Sequence, residues 1–297
     1  MKKLFLCSTL ALALSAMPLA HGQQFPKGTV VHYPPRGPAT LQQEQTPAPL
    51  AQREKQLHAL LAAIHQYWLQ THPEYASIHG DQRYAADLTD YSAAAWQQRL
   101  NQANAFMMQL AQIDTTGMSP ADQKAADSTL HRLIAEQTAG AARPWETPVT
   151  ATSGLPFSLA ALPAQLHFAG AQDYDHYIAR LNRIPTAFRQ VSDDILLGIE
   201  DENPPSVATI QGVLAEVKAV TSQTPAASPF AEPLQHFPAS VSAADQARIR
   251  KAVLTAISIQ VFPAYQRFGR FMESLQQPSQ PAASKSNSTS NTPKVHP

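Results

Sequence analysis

The chain has 297 residues, a formal net charge of zero and a charged fraction of only 15%. No basic cluster occurs along it, which argues against a nucleic acid as partner. The length allows one large domain or two small ones. Proline is frequent, at 25 residues, and glycine scarce, at 11, a balance that suits helices joined by stiff connectors.

Residues 1–22 have the pattern of a secretory signal peptide. Lys2 and Lys3 precede an apolar run at 4–16, and small residues follow it. The run is shorter than the roughly 20 residues of a membrane span, so we expect a periplasmic or secreted protein with no membrane span after cleavage. The alternative is a lipoprotein anchored through Cys7, which is disfavoured because Cys7, the only cysteine, lies inside the apolar run. Cleavage would leave neither thiol nor disulfide.

Two stretches without helical patterning follow the signal and end the chain. Residues 23–49 are rich in Pro and Gln, and residues 276–297 form a Pro, Ser, Asn and Gln tract. Neither holds enough large apolar side chains to build a core, so we expect a flexible leader and a disordered tail. Residues 50–275 are left as the folded helical domain.

In the first part of that domain, apolar residues recur at the spacing of amphipathic helices. The first predicted helix covers 51–71. Ser92 is the predicted N-cap of a second helix that ends near Ile113, and Ser119 before Pro120 marks the start of a third. The apolar stripes of these helices contain Leu57, Leu60, Leu61, Ile64, Trp68, Trp96, Leu100, Met107, Leu130, Leu133 and Ile134.

A long stretch at 140–171, rich in Pro and small residues, is predicted to be irregular. Loops of that length inside a compact domain are often functional. Asp173 is the predicted cap of the next helix, which Pro185 should kink or split. Its apolar stripe contains Tyr174, Tyr177, Ile178, Leu181, Ile184, Phe188, Val191 and Ile195.

Two more helices complete the predicted domain. One begins after Ser206, and the last covers about 242–275 with a kink at Pro263. Their stripes contain Ile210, Val213, Leu214, Val217, Val220, Ile249, Val253, Ile257, Val261, Tyr265, Phe268 and Met272. Because no stretch alternates with period two, the predicted fold class is all-α, a multi-helix array with long irregular loops.

Motifs for metal or nucleophile chemistry are not found. None of the eleven histidines is followed by Glu, so the zinc arrangement His-Glu-x-x-His is missing. His58 and His65 lie two helical turns apart, too far for joint ligation of one ion. Ser153 and Ser158 have no Gly-x-Ser-x-Gly elbow, and the adjacent aspartates 193–194 point to different faces of a helix. We therefore expect no catalytic residue, no metal and no cofactor.

One segment, residues 72–92, is denser in polar and aromatic residues than its surroundings. A turn at Asp81 followed by Arg83 and Tyr84 could place a charged pair at the mouth of a cleft. The binding residues predicted from it are Asp81, Arg83, Tyr84 and Asp90. The favoured alternative is a helix connection in which Asp81 caps and Arg83 pairs locally.

The same segment resembles the bacterial domain-of-unknown-function 885 proteins, the DUF885 family. Pieces in the family's order are Pro73-Glu74, Gly80-Asp81-Gln82-Arg83-Tyr84, Leu88-Thr89-Asp90-Tyr91-Ser92, Asp173-Tyr174, Tyr177-Ile178-Ala179-Arg180-Leu181, Ser228-Pro229-Phe230 and Val261-Phe262-Pro263-Ala264-Tyr265. The resemblance spans roughly residues 50–275. One departure is Ala85-Ala86-Asp87, where the family often has a more acidic and basic triplet.

The resemblance implies an exported, largely helical protein related to zinc metallopeptidases. The family's zinc-binding helix, of the type His-Glu-x-x-Pro-Gly-His with a later Glu, belongs to the second half of a longer chain. No residue of this chain matches that motif, so the resemblance assigns no ligand and no general base here. It covers the N-terminal half of the family's pattern only.

Three functional hypotheses follow. The first is an exported, non-catalytic DUF885 protein that binds peptides or a partner chain carrying the missing half, or that self-associates through apolar surface left uncovered. The second is one part of a periplasmic metallopeptidase-like hydrolase completed by a second chain. The third is a helical peptide-binding or scaffolding module that uses the 140–171 loop and the 72–84 turn.

Overall fold

The computed structural model describes residues 48–276, and this range contains nine α-helices and no β-strand. The helices are α1 (Leu50–Thr71), α2 (Pro73–Ile78), α3 (Ala93–Ala111), α4 (Pro120–Ala141), α5 (Leu155–Ala161), α6 (Ala171–Glu200), α7 (Val207–Thr221), α8 (Ala243–Ala256) and α9 (Phe262–Ser274). The predicted all-α fold class is confirmed. The predicted signal peptide, leader and tail lie outside the described residues, apart from residues 48, 49 and 276.

Serine side chains cap four helices at the predicted positions. In each case the hydroxyl accepts a hydrogen bond from the amide three residues later, which satisfies one of the free donors of the first turn. The pairs are Ser92 with Ala95 at 3.2 Å, and Ser119 with Asp122, Ser206 with Thr209 and Ser242 with Asp245, each at 3.1 Å. These caps set where α3, α4, α7 and α8 begin.

The start of α6 differs from the prediction, and of the two outcomes predicted at Pro185, a kink or a split, the split does not occur. Gly170 is the N-cap, whereas Asp173 lies in the first turn and its carboxylate accepts hydrogen bonds from the amides of Ala169 and Gly170 at 2.7 and 2.9 Å. The 30 residues of α6 form one unbroken helix through Pro185. The buried side chains on either side, including Phe188, hold the helix together across the missing hydrogen bond.

The stretch at 140–171 is more regular than predicted. It holds the end of α4, the helix α5 and two 3₁₀ turns, Pro144–Glu146 and Pro163–Gln165. A proline stands in the first turn of each of the three new elements, where its missing amide costs nothing because first-turn amides have no partner inside the helix. The prolines that suggested a loop are therefore helix starts.

Two hydrophobic cores lie in the described chain. The N-terminal core packs α1, α3 and α4 around residues such as Leu57, Ile64 and Phe106. The C-terminal core packs α5 to α9 around residues that include Tyr177 and Tyr265. The predicted apolar stripes supply most of both cores. The prediction is wrong for Ile134, which is 41% exposed.

A π-helical turn, Ile257–Val261, joins α8 to α9 directly before Pro263. Pro263 has no amide to donate, and its ring crowds the carbonyl of Ile259 four residues earlier. The wider turn, in which the amide of Phe262 bonds to the carbonyl of Ile257, accommodates the ring. The interruption predicted at Pro263 thus takes the form of a π turn.

Candidate functional site

Residues 72–92, which link α1 to α3 and contain α2, are held against α6 by one buried arginine. Arg180 is 2% exposed. Its Nε donates to the carbonyl of Asp87 at 2.8 Å. Its Nη2 donates to Ser77 Oγ at 2.7 Å and to the carbonyls of Tyr84 and Pro73 at 3.1 and 3.3 Å. A single guanidinium therefore contacts three separate parts of the segment.

Glu74 joins the two arms of the same segment. Its carboxylate accepts hydrogen bonds from the amide and hydroxyl of Thr89 at 3.0 and 2.6 Å, and from the hydroxyl of Tyr91 at 3.2 Å. Burial, together with the adjacent carboxylate, raises the pKa of Tyr91, so its hydroxyl keeps its proton and remains a donor.

Two of the predicted binding residues, Asp81 and Arg83, form a local ion pair. Asp81 caps a 3₁₀ turn, Gln82–Tyr84, and its Oδ1 accepts hydrogen bonds from the amide and Nε of Arg83 at 3.1 and 2.9 Å. Arg83 also donates to Gln66 Oε1 at 2.7 Å, and 58% of its side chain is exposed. The hydrogen bond from Arg83 lowers the pKa of Asp81. These contacts are those of the local alternative, a capped helix connection.

Asp90, a third predicted residue, lies where the segment meets α6. Its Oδ1 accepts hydrogen bonds from the amide and hydroxyl of Ser92 at 3.0 and 2.7 Å and from Gln190 Nε2 at 2.8 Å. The side-chain oxygen of Gln190 in turn accepts from the amide of Tyr91 at 3.2 Å. The two ends of one glutamine amide thus bind the segment to α6.

One turn further along α6, Asp194 is 2% exposed and accepts a hydrogen bond from the amide of Ala93, the first residue of α3, at 3.0 Å. Its other oxygen is buried without a hydrogen-bond partner. Burial raises the pKa of Asp194 to about 7, against the opposing effect of the Ala93 amide. The nearby charges of Asp193 and Asp90 act in the same direction as burial.

A groove of ≈ 360 Å³ opens between α1, the end of the 72–92 segment and the first turns of α3. Its polar lining includes Tyr67, Tyr84, Asp87, Asp90, Gln98 and Arg99. The structure therefore brings two of the predicted binding residues, Tyr84 and Asp90, to one concave surface. Asp81 and Arg83 are not among the residues that line it.

Arg99 lines this groove and also lines a smaller crevice between α1, α3 and α4. It is 5% exposed, its guanidinium lies 4.4 Å from the ring of Trp96, and its Nη1 donates to the carbonyl of Asp90 at 2.9 Å. Within residues 48–276, that is its one hydrogen bond, and no carboxylate oxygen lies within 4.0 Å of it. Burial lowers the pKa of Arg99, but an arginine stays charged at neutral pH.

The crevice beside Arg99 holds groups that burial drives towards their neutral forms. Burial raises the pKa of Glu136 and lowers the pKa of His72. His72 also stacks on Trp68, with ring centroids 4.7 Å apart, and its Nδ1 lies 3.0 Å from the Trp68 carbonyl. The guanidinium of Arg99 keeps its charge despite burial, and Arg132 lines the same crevice.

The model of the family described as "Bacterial protein of unknown function (DUF885)" matches residues 73–292. The chain belongs to this family. The resemblance recognised in its sequence is confirmed, and the family description carries no activity with it.

A solved structure, described as "the putative lipoprotein from Colwellia psychrerythraea", is similar to this DUF885 protein. The two are 18% identical, with a TM-score of 0.62 over 75% of this chain. At that identity the likeness shows a shared fold. The aligned part makes up 41% of the other protein, so this chain spans less than half of its length. No curated protein matches the chain.

The fold gives the motifs of this DUF885 protein an architectural role. The piece Tyr177–Leu181 contains Arg180, whose hydrogen bonds reach the piece that starts at Pro73 and the one that ends at Tyr84. Three motifs that are far apart in the sequence are therefore parts of one polar network.

Two other side chains weighed for chemistry, His58 and Ser158, have partners in this DUF885 protein. His58 pairs with Asp122 at 2.7 Å, and the hydroxyl of Ser158 donates to the carbonyl of Leu155 at 3.2 Å. Over residues 48–276, no three His, Cys, Asp or Glu side chains gather in a metal-binding arrangement. None of the helices in that range is both long and apolar enough to cross a membrane.

Sequence reasoning missed Arg99, Arg180 and Asp194 as important residues. Each occupies a core-facing position on its helix, in register with buried apolar neighbours. The signal was available, because a charged residue at core spacing must find compensation. The spacing did not reveal that Arg180 would meet three carbonyls and a hydroxyl, or that Asp194 would accept from one backbone amide. Nor did it reveal that Arg99 would line a groove.

Proposed function

We propose that this DUF885 protein is an exported, non-catalytic helical module that binds a small ligand or a peptide end in the groove over Arg99. The observation that carries the proposal is a buried cation facing an open groove. Concave sites with a few convergent polar groups are the usual binding sites of proteins. The groove walls are held by the Arg180 and Glu74 networks, which favours a preformed site.

Export is supported by the sequence of residues 1–22, with its basic start and short apolar run. A non-catalytic role is supported by the use already made of the polar side chains. Glu74 and Asp81 are engaged in internal hydrogen bonds, and Asp90 holds Ser92 and Gln190. A general base or nucleophile would instead need its reactive atom directed at a substrate.

The test of binding uses a matched pair of substitutions in α3. Ala95 lines the groove, whereas its neighbour Ala94 is exposed and does not line it. We expect Ala95→Trp to fill the groove and abolish ligand-induced stabilisation in a thermal-shift screen of small metabolites and short peptides. Ala94→Trp should leave every hit unchanged. Hits that are equally insensitive to both substitutions would place binding elsewhere and refute the groove as the site.

The test of catalysis is a metal analysis of the purified chain, with aminopeptidase and dipeptidase substrates assayed on the same sample. We expect no stoichiometric zinc and no turnover. Stoichiometric zinc with turnover that copurifies with the chain would refute the non-catalytic role. The signal prediction is tested separately by the N-terminal sequence of the secreted product, which should begin at about residue 21 or 23.

A second candidate function is one part of a metallopeptidase-like hydrolase completed by another chain. The observation in its favour is that the similar Colwellia structure is much longer than the part aligned with this chain. A neighbouring reading frame that encodes a His-Glu zinc motif, and whose product copurifies with this chain and confers peptidase activity, would establish it. If no such product copurifies with this chain, the second candidate is contradicted and the binding module is favoured.

A further inference from the structure

We infer that the groove takes a carboxylate group and that Arg99 is the residue that pairs with it. This inference deepens the proposed binding function and rests on it. It names the chemical class of the ligand: a carboxylate carried by a small organic acid or by the C-terminal end of a peptide.

Two buried arginines of the chain show why Arg99 is the binding residue. The guanidinium of Arg180 has four acceptors, three carbonyls and a hydroxyl, so its charge is compensated internally. The guanidinium of Arg99 has one, the carbonyl of Asp90. A buried guanidinium normally pairs with a carboxylate or phosphate through two parallel hydrogen bonds. Arg99 retains that capacity and directs it at a groove.

The surroundings of Arg99 orient it for such a pair. The ring of Trp96 lies 4.4 Å from the guanidinium carbon, so stacking restricts the plane of the guanidinium. Tyr67 and Gln98 line the same groove with a hydroxyl and an amide that can donate to an oxygen of the ligand. Burial raises the pKa of Tyr67, which keeps its hydroxyl protonated and able to donate.

The acidic groups around the groove limit the charge of the ligand. Asp87 pairs with Arg183 at 2.9 Å, and Asp90 Oδ1 accepts from the Gln190 amide at 2.8 Å. Glu136, in the adjoining crevice, has a pKa raised by burial. Among the residues that line the groove, Arg99 is the one cation beside the carboxylates of Asp87 and Asp90. This lining suits a singly charged group, because a dianion such as phosphate would meet stronger repulsion from the two carboxylates.

The inference is tested by NMR titration of the ¹⁵N-labelled full chain, observing the indole N–H of Trp96 and the side-chain Nε–H of Arg99. Three probes separate the sources of the carboxylate: N-acetyl-dialanine, its C-terminal carboxamide and the monocarboxylate propionate. We expect the two carboxylates to bind saturably. The carboxamide should bind at least about tenfold more weakly, because it cannot form the charge-assisted hydrogen bond with the guanidinium. The tighter of the two carboxylates identifies the source as a peptide end or an organic acid.

A matched pair of charge variants tests the position of the carboxylate. Gln98 lines the groove, and Gln97, its exposed neighbour, does not. Gln98→Glu adds a negative charge beside Arg99 and should weaken binding of the carboxylate probes about threefold to tenfold. Gln97→Glu adds the same charge elsewhere and should leave their affinities unchanged. Arg99→Gln should abolish their binding, and Gln98→Glu keeps the inference testable if that variant fails to fold.

Three results would overturn the inference. Equal affinity for the carboxamide and the free acid would show a groove that binds by other means, and the proposed binding function would stand. The same would follow if Gln98→Glu and Gln97→Glu bound the probes alike. If no probe saturates at concentrations on the order of 10 mM, the carboxylate site is refuted, while the binding function is decided independently by the Ala95 and Ala94 comparison.

Discussion

At the scale of single residues, the placement of Arg180 without a salt bridge has a physical explanation. Burying a charge is costly unless hydrogen bonds replace its water shell. The carbonyls of Pro73, Tyr84 and Asp87 and the hydroxyl of Ser77 supply those bonds. Because these partners are dipoles in three parts of the segment and not one carboxylate, they also fix how the segment lies against α6. The guanidinium fits only when all three parts are in place.

Arg180→Ala should destabilise the protein by about 3 to 5 kcal/mol. The substitution removes four hydrogen bonds, leaves buried acceptors without donors and opens a cavity. The measurement is the free energy of unfolding from urea denaturation. Two exposed arginines serve as controls. Arg183→Ala, on the same helix, should cost about 1 kcal/mol or less, and Arg83→Ala should leave the midpoint unchanged within error. Equal effects for Arg180 and Arg183 would contradict the network.

Asp194 makes the stability depend on pH. Its pKa of about 7 lies above that of an unfolded aspartate, so between roughly pH 4 and pH 7 the folded state holds a proton that the unfolded state has lost. Stability therefore falls as the pH rises through this window. Above about pH 7 the cost of a buried charge is fully present.

Asp194→Asn removes that cost while its amide oxygen can still accept from Ala93. Relative to wild type, the variant should gain about 2 to 4 kcal/mol of unfolding free energy between pH 5 and pH 8. The matched control is Asp193→Asn, which neutralises the exposed neighbour and should show a nearly constant difference. A gain that is the same at both pH values, or larger for Asp193, would contradict the raised pKa.

At the scale of the elements, two glycines explain how the 144–154 stretch packs on α6 and α7. A Cβ on Gly198 of α6 would lie 2.3 Å from the carbonyl oxygen of Glu146, and one on Gly212 of α7 would lie 2.1 Å from that of Ala151. Glycine is unfavourable inside helices. Here it is required, because main chain passes where a side chain would stand.

Gly198→Ala and Gly212→Ala should each destabilise the protein by about 1 to 3 kcal/mol, since backbone must move to admit the methyl group. In an open helix the same substitution would stabilise by about 0.5 to 1 kcal/mol. Gly140→Ala is the control, because the atoms nearest to its methyl belong to the side chain of Leu100 and not to main chain. Thermal unfolding of the three variants decides the matter. Stabilisation by Ala at 198 or 212 would show that the stretch does not pack as described.

The elements were largely predictable from the sequence because their signals are local. A serine cap such as Ser92 and an apolar stripe such as that of α6 depend on residues within one or two turns. The short helices of the 140–171 stretch were not predictable from the sequence, because Pro144, Pro156 and Pro163 suit both a loop and a first helical turn. Only tertiary packing distinguishes the two.

The candidate site was predictable only in part. Tyr84 and Asp90 were found because they stand in a conspicuous polar segment, and they do line the groove. Arg99 was not, because its role depends on which of its donors remain without partners, a property of three-dimensional surroundings. The helical spacing of a charged residue shows that its side chain faces the core. It does not show how many hydrogen-bond acceptors surround that side chain.

At the scale of the whole molecule, the polar network lies between two hydrophobic cores. The N-terminal core draws on α1, α3 and α4 and the C-terminal core on α5 to α9. Arg180 and Asp194 project from α6, in the second core, towards the 72–92 segment and the start of α3. Directional hydrogen bonds at such a junction set one relative orientation of the cores, which apolar contacts alone would set less strictly.

The surface of the described chain bears on whether the protein stands alone. Its exposed large apolar side chains are spread over seven elements: Leu50, Tyr75, Met108, Ile134, Leu196, Leu197, Val207 and Ile259. Scattered apolar residues are normal on monomeric proteins, whereas a face that has lost its partner would be a contiguous patch. We therefore expect the purified chain to be monomeric at micromolar concentration in size-exclusion chromatography with light scattering.

A dimer or larger species would instead favour the hypothesis of an uncovered docking face. Two substitutions would then locate that face, since Leu197→Asp and Ile259→Asp alter exposed apolar side chains on different elements, α6 and the π turn. If either restores the monomer, association occurs through its element and the groove over Arg99 is not needed to explain a partner. If the wild-type chain is monomeric, the proposed binding groove does not compete with a docking face as an explanation, and the probes for Arg99 are the next step.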